Sequence, residues 1–469
     1  MNEPVDSDPI TLEAFGDSFW KQGAMSTWTL HVEQLGKLRT ADIRFHPLTL
    51  LVGENNTGKT YLATVLYALM NELPRILPES PQSSPAYEQC SRWVRSWFET
   101  GAHPRDLKTR DCTLFLAWLN EILTKSAPEI LARAFNHEIK QATRIELRDL
   151  ELLGTPRISL HNLQKSEDDP ADLLVEFEGG TRGIDHLPPS EQEIHETIVL
   201  IASRIISLGG ANTVYLPASR TGIVHLYREV TLRSNESRRI RPRLGPTTTR
   251  LTTTIIDFIE LLTELDADNK GRFAEEARFL EEACLAGQIE VAALPLGRYY
   301  YRPSSSADPL PMALSSAVVT ELAPIILTLR HKLYLGLLIL EEPEAHLHPK
   351  LQRVLAQVIV RLIRKGMRVC ITTHSENFCQ QINNFLKIGA LPNPGHAAEQ
   401  IGYLADDYLK SNEVIAYEFK NLGDHAVVEE LRRSPTGLQM PLFNSELLKL
   451  SNETLALQDM LEKAAGDIA

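Results

Sequence analysis

Residues Leu48–Thr60 read LTLLVGENNTGKT. The short apolar run Leu48–Val52 is strand-like. The next eight residues, GENNTGKT, fit G-x-x-x-x-G-K-[ST] at every fixed position. Beyond them Leu62, Leu66, Leu69, Met70 and Leu73 recur at helical spacing as far as Pro74. Strand, glycine loop and helix form the setting in which this motif cradles the phosphates of a nucleotide. Gly53 and Gly58 let the backbone wrap an anion. The main-chain N–H groups of Asn55, Asn56 and Thr57, together with the helix N-terminus, meet its charge. Lys59 is expected to reach the β- and γ-phosphates of ATP, and the Thr60 hydroxyl to ligate Mg²⁺.

A loop of this kind needs an acidic partner at the tip of a neighbouring strand, and Leu337–Gln352, LLILEEPEAHLHPKLQ, offers one. Four apolar residues run into Glu341, placed to hold the Mg²⁺ shell, and Glu342, placed to orient and deprotonate the attacking water. Such a base contributes roughly 10²–10⁴-fold. The same stretch holds Glu344, His346 and His348, which could instead be zinc ligands, although a zinc site would need another ligand and an open position. The acidic pair has the better use beside Lys59. Further on, His374 follows the apolar strand VCITT and is placed to contact a γ-phosphate.

The bulk numbers limit the alternatives. The chain has 469 residues, 43% hydrophobic and 23% charged, enough for a large core and more than one lobe. Its formal charge of −13 excludes a surface that is basic all over, so any nucleic-acid contact is local. Five scattered cysteines (Cys90, Cys112, Cys284, Cys370, Cys379) without a C-x-x-C pair fit a reducing cytosol. The acidic start MNEPVDSDPI does not read as a signal peptide, and no apolar run reaches the length of a membrane span. A cytoplasmic protein with no membrane partner is expected.

Strand-like WTLHVEQL and ADIRF precede the glycine loop, and TVYLPASR (Thr213–Arg220) is a strand entering a polar turn. KLQRVLAQVIVRLIRKG places Leu351, Val354, Leu355, Val358, Ile359, Leu362 and Ile363 on one helical face, with Gly366 as its C-cap. This order of strands and helices predicts an α/β fold with a largely parallel sheet.

GENNTGKT, EEPEAHLHP and ITTHS, in this order and with a long insertion after the first, resemble the ABC-type ATPase heads of the SMC/RecF/OLD group. More narrowly, the chain resembles stand-alone AAA family ATPases with OLD-like heads, found in bacterial defence and repair loci. The resemblance covers residues of about 26–75 and 211–390. It implies ATP and Mg²⁺ as cofactors, and a homodimer or larger homo-oligomer whose heads sandwich ATP. Ser315, in Leu314–Ser316, stands where a signature serine would close on the partner's γ-phosphate, though the glycine-rich transporter form is missing. Ala345–Pro349 falls at the dimer-contacting D-loop. Arg220 matches a polar position kept near the nucleotide, and no Q-loop glutamine is recognisable.

On this basis the chain divides into a lead-in (1–25), an ATPase lobe with the P-loop (26–75), a mainly helical insertion (76–210) and a return to the core (211–226). An Arg-rich loop and helical insertion (227–300) follows. Next comes a lobe with signature-like, Walker B, D-loop and His-switch elements (301–390), then a small α+β C-terminal extension (391–469). The resemblance implies a sensor or regulatory ATPase of an anti-phage system, controlling a separately encoded effector such as a nuclease or toxin. The alternative is a repair or recombination ATPase that binds DNA ends directly. Seven arginines between Arg228 and Arg250 could touch nucleic acid or an acidic partner, or form a solvated loop. A third class, a metal-dependent nuclease using the histidines, predicts cleavage without ATP.

Overall fold

A computed structural model describes residues 26–137, 143–163, 172–177, 180–184, 187–208, 212–226, 251–292, 298–306, 308–434 and 437–466. The lead-in 1–25 and the Arg-rich segment 228–250 lie outside the described residues.

The strands are β1 (Ser26–Leu35), β2 (Leu38–Arg44), β3 (Leu48–Gly53), β4 (Arg105–Asp106), β5 (Arg144–Leu152), β6 (Arg157–Leu163), β7 (Asp172–Phe177), β8 (Gly180–Ile184) and β9 (Thr213–Leu216). They continue as β10 (Gly287–Ala292), β11 (Arg298–Pro303), β12 (Leu310–Pro311), β13 (Leu337–Glu341), β14 (Arg368–Thr373), β15 (Val414–Asn421) and β16 (Ala426–Glu430). The helices are α1 (Lys59–Ile76), α2 (Pro85–Glu99), α3 (Thr109–Phe135), α4 (Glu191–Ile206), α5 (Thr253–Glu264) and α6 (Ala274–Cys284). After them come α7 (Ala317–His331), α8 (Pro349–Arg364), α9 (Glu376–Gly389), α10 (Pro394–Gln400) and α11 (Pro441–Gly466).

A nine-stranded sheet runs β5-β1-β2-β16-β15-β3-β14-β13-β9. From β15 to β9 every pairing is parallel, whereas β15 to β16, β1 to β2 and β1 to β5 are antiparallel. The parallel half explains the continuous apolar runs, because it is covered on both faces. Alternation sends Leu48, Leu50, Val52, Leu338, Leu340 and Ile371 to one core. It sends Leu51, Ile339, Cys370, Ile415, Tyr417 and Phe419 to the other. Helices α7, α8 and α9 pack on the first face, and α1 to α4 on the second.

Several expectations hold residue by residue. Helix α8 buries the predicted face, and Gly366 has φ +85° just beyond its end. The P-loop helix runs through Pro74 to Ile76, two residues past the expected stop.

The insertion 76–210 carries α2 to α4 together with more strand than expected: β5 joins the edge of the main sheet beside β1, and β4-β6-β7-β8 form a separate antiparallel sheet. The small strand element expected near DLLVEFEGG is β7, one strand of that sheet. The boundary at 390 also gives way, since β15 (VIAYEFKN) is a central strand, parallel to β3 from Val414↔Leu48 to Phe419↔Gly53. A strand whose neighbour lies far away in sequence carries no local sign of where it pairs.

Candidate nucleotide site

Because β9, β13, β14, β3 and β15 are parallel, their carboxyl ends open on one edge, the place where open α/β sheets bind ligands. Gly53, Glu341, Thr373 and the turn after Leu216 all lie there. The loop after β3 starts at a point of close approach. A Cβ on Gly53 would sit 2.2 Å from the Phe419 carbonyl oxygen, and its φ is +131°. The Glu54 N–H donates to that same oxygen at 3.3 Å.

Asn56 (φ +60°) and Gly58 (φ +97°) are both left-handed, which turns successive N–H groups into a concavity suited to an anion. Thr57 is buried and donates to the Glu54 carbonyl at 2.8 Å, bracing the loop from within. Asn55, Asn56 and Thr60 are exposed. Lys59 is 5% exposed, and its Nζ donates to the carbonyls of Gly53 (3.1 Å) and Glu54 (2.5 Å). Burial pulls its pKa down to about 8, against the opposing pull of Glu342, Glu344, Glu54 and Glu341. The four carboxylates and the lysine therefore share one electrostatic neighbourhood.

Glu341 ends β13. Its Oε2 accepts the Ala218 N–H at 3.1 Å, while its buried Oε1 has no hydrogen-bond partner among the described residues. A buried carboxylate oxygen left without a donor suits a cation. Glu342 takes φ +40°, unusual for a non-glycine residue, and its N–H donates to Thr372 O at 2.9 Å. Its Oε1 lies 3.4 Å from His374 Nε2, and the hydrogen bond from His374 holds the Glu342 carboxyl below the usual carboxylate range. Glu342 and His374 thus arrive in contact, one directly after β13 and one directly after β14.

Two residues around this pair have roles that local reading did not supply. Glu344 Oε1 accepts from Thr373 Oγ1 (2.7 Å), His374 N–H (2.8 Å) and Ser375 N–H (3.1 Å), so it holds the backbone that carries His374. Gln352 adds a second tie, accepting from Ser375 Oγ at 2.6 Å and donating to Leu347 O at 3.0 Å.

Arg220, which the resemblance implies to be near the nucleotide, is 0% exposed and lies behind the acidic residues. Its guanidinium donates to the carbonyls of Pro217 (3.0 Å), Glu341 (2.6 Å), Glu342 (3.0 Å) and Glu321 (3.3 Å). It also forms an ion pair with the fully buried Glu321 of α7. Burial pushes the Glu321 carboxyl up, and Arg220 opposes it. The planar fork of arginine can span four oxygens, which no other cationic side chain does. One side chain therefore fixes the backbone of both acidic residues to α7. The trace of Glu321 in the sequence is a single carboxylate inside the apolar run AVVTELAPIIL.

Ser315 stands apart from this cluster, at the head of α7. Its Oγ donates to Pro311 O at 3.4 Å, and neighbouring Leu314 is 72% exposed. Ser316 caps α7 without a side-chain hydrogen bond, leaving the first N–H groups of the helix at the surface. His348 caps α8, accepting the Lys350 N–H at 3.3 Å, and His346 is exposed with φ +58°. Among the described residues no group of three or more His, Cys, Asp or Glu is placed to hold a metal ion. Glu344 gives Oε1 to the His374 loop, while its buried Oε2 has no hydrogen-bond partner among the described residues.

Residues 235–379 match the family described as AAA ATPase domain, which takes in Ser315, Glu341, Glu342 and His374. That stretch is similar to ATPase-domain sequence, in keeping with the ABC-type, SMC-like resemblance of the motifs. No curated protein matches the chain. Three solved structures are similar to it. One is an Smc head bound to the C-winged helix domain of ScpA, at 11% identity and a TM-score of 0.34, covering 86% of this chain and 96% of that one. Another is an Smc head with an extended coiled coil bound to the C-terminal domain of ScpA from Pyrococcus furiosus, at 12% and 0.33, covering 92% and 100%. The third is the SMC head of Thermotoga maritima, at 9% and 0.31, covering 87% and 99%. Among the described residues no helix is long and apolar enough to cross a membrane.

Proposed function

We propose that the chain hydrolyses ATP and couples that cycle, through paired heads, to a separately encoded effector in a bacterial anti-phage defence system. The observation that carries the ATPase reading is the convergence of Lys59, Glu341, Glu342 and His374 at one sheet edge. The left-handed loop from Asn56 to Gly58 and Lys59 bind the phosphates. Thr60 and Glu341 would hold Mg²⁺, which offsets phosphate charge when bound. Glu342 takes the proton of the attacking water, and His374 orients Glu342 and the γ-phosphate.

The regulatory part rests on Arg220 and Glu321. They tie α7, whose exposed N-terminus and Ser315 would meet a partner head, to the carbonyls of Glu341 and Glu342. Docking of a second head at α7 would then be felt by the base in this one, which is what an ATP-gated switch needs. Glu342→Gln is expected to retain ATP binding, to lower hydrolysis by about 10²–10⁴-fold and to trap the closed assembly. Hydrolysis at the wild-type rate would end the catalytic assignment. Phage plating on cells carrying the native locus, with and without the neighbouring gene, tests the defence role. Hydrolysis stimulated by DNA ends and abolished by charge reversal across Arg228–Arg250 would move the reading to repair.

A further inference from the structure

Helix α11 closes the described chain, and every described side chain between Leu448 and Leu461 is exposed. Leu448, Leu450, Leu455, Leu457, Met460 and Leu461 are each more than half exposed, at 63%, 62%, 56%, 54%, 64% and 70%. A helix that turns its apolar side chains to water is marginal, and exposed leucines in this number lower its solubility further. Their order suggests a remedy. Leu447, Leu450, Thr454, Leu457, Leu461 and Ala464 are separated by 3, 4, 3, 4 and 3 residues, a heptad repeat with Leu447, Thr454 and Leu461 at a and the others at d.

We propose that α11 pairs with α11 of a second copy of this chain as a parallel, in-register, two-stranded coiled coil that forms without nucleotide. The flanking charges favour this occupant and this direction. Glu446 and Glu453 occupy g positions, and Ser451 and Gln458 occupy e positions. In a parallel pair each glutamate faces a neutral e residue of the other strand, whereas an antiparallel pair sets glutamate against glutamate. Self-pairing in register also places Thr454 opposite Thr454, so the one polar a residue meets its own kind. Leu448 and Leu455 are at b and stay on the outer face; Met460 flanks the seam at g. A seam of this length buries on the order of 1,000 Å² in total, at the lower end for a specific interface. The tether would make closure of the heads intramolecular, at an effective concentration on the order of millimolar. That consequence rests on the proposed ATPase cycle, but the coiled coil does not.

The test uses the full chain in EDTA without nucleotide, carrying Lys59→Ala so that head closure by ATP cannot contribute. Sedimentation velocity at micromolar concentration is expected to give a dimer of the 52.6 kDa chain. Leu450→Glu with Leu457→Glu is expected to weaken the dimer at least tenfold, with circular dichroism reporting an intact fold. In a Cys284→Ser background, Leu450→Cys and Leu461→Cys should each cross-link to themselves on oxidation, and Asn452→Cys, on the outer face, should not. A monomeric chain overturns the proposal and leaves the seam to another protein. A dimer indifferent to the two glutamates, or cross-linking at Asn452→Cys as readily as at Leu450→Cys, overturns it as well.

Discussion

Replacing Arg220 separates what the buried ion pair does for stability from what its hydrogen bonds do for catalysis. Arg220→Met leaves Glu321, itself 0% exposed, without its countercharge and leaves the carbonyls of Pro217, Glu341, Glu342 and Glu321 without their arginine donors. Breaking a buried pair from one side costs about 3–5 kcal/mol. At about 2.1 cal/mol/K of unfolding entropy per residue, a body of roughly 400 residues loses about 4–6 °C in Tm. Arg220→Lys keeps a cation beside Glu321 but cannot span four oxygens, so most of the stability should return. Losing the contact to Glu342 O, worth about 1.5–3 kcal/mol for a charged donor, lowers kcat by about 10–150-fold if it is all felt in the barrier. Differential scanning calorimetry and steady-state hydrolysis read the two effects, with KM for ATP expected near wild type because the P-loop is untouched. If Arg220→Lys hydrolyses ATP as fast as the wild type, the guanidinium fork does not set the position of the base, and Arg220 is structural only.

Glu344→Ala removes the acceptor shared by Thr373, His374 and Ser375, and is expected to lower kcat by about 10–100-fold. Glu344→Gln keeps an acceptor oxygen and should stay within a few-fold of wild type; single-turnover hydrolysis decides, and equal losses in the two variants would refute the positioning role. Lys59 has its pKa pulled down by burial to about 8, and phosphate binding favours the protonated amine. ATP affinity should therefore be highest below pH 8 and fall by up to about tenfold per pH unit above it, as read by titrating a non-hydrolysable analogue. Lys59→Arg should flatten that dependence, and an affinity that rises from pH 8 to 9 would contradict the assignment.

The candidate site was legible in the sequence because its information is local. The turn at Gly53–Thr60 needs glycine and lysine at fixed offsets, and an acidic pair after an apolar strand or a histidine after VCITT signals a strand tip by itself. The same reasoning found the buried face of α8 and the cap at Gly366. It reached Glu344 only as a zinc ligand to be set aside, because its three donors come from a loop some thirty positions on. It left the direction of Arg220 open, since an arginine after a strand looks the same whether it reaches outward to phosphate or inward to four carbonyls. Glu321 went unremarked because a lone carboxylate in an apolar helix gains meaning only once the arginine that neutralises it is seen.

By itself, the sequence determined the α/β order of the core and offered the glycine turn and the acidic pair as candidates for a phosphate site, since each is written in residues a few positions apart. Only the tertiary structure decided that β15 lies against the P-loop strand, that β5 extends the sheet and that Arg220 joins the signature helix to the base. Those contacts join segments about 100 to 370 residues apart, where pairing depends on which apolar faces and buried charges find partners in the folded chain.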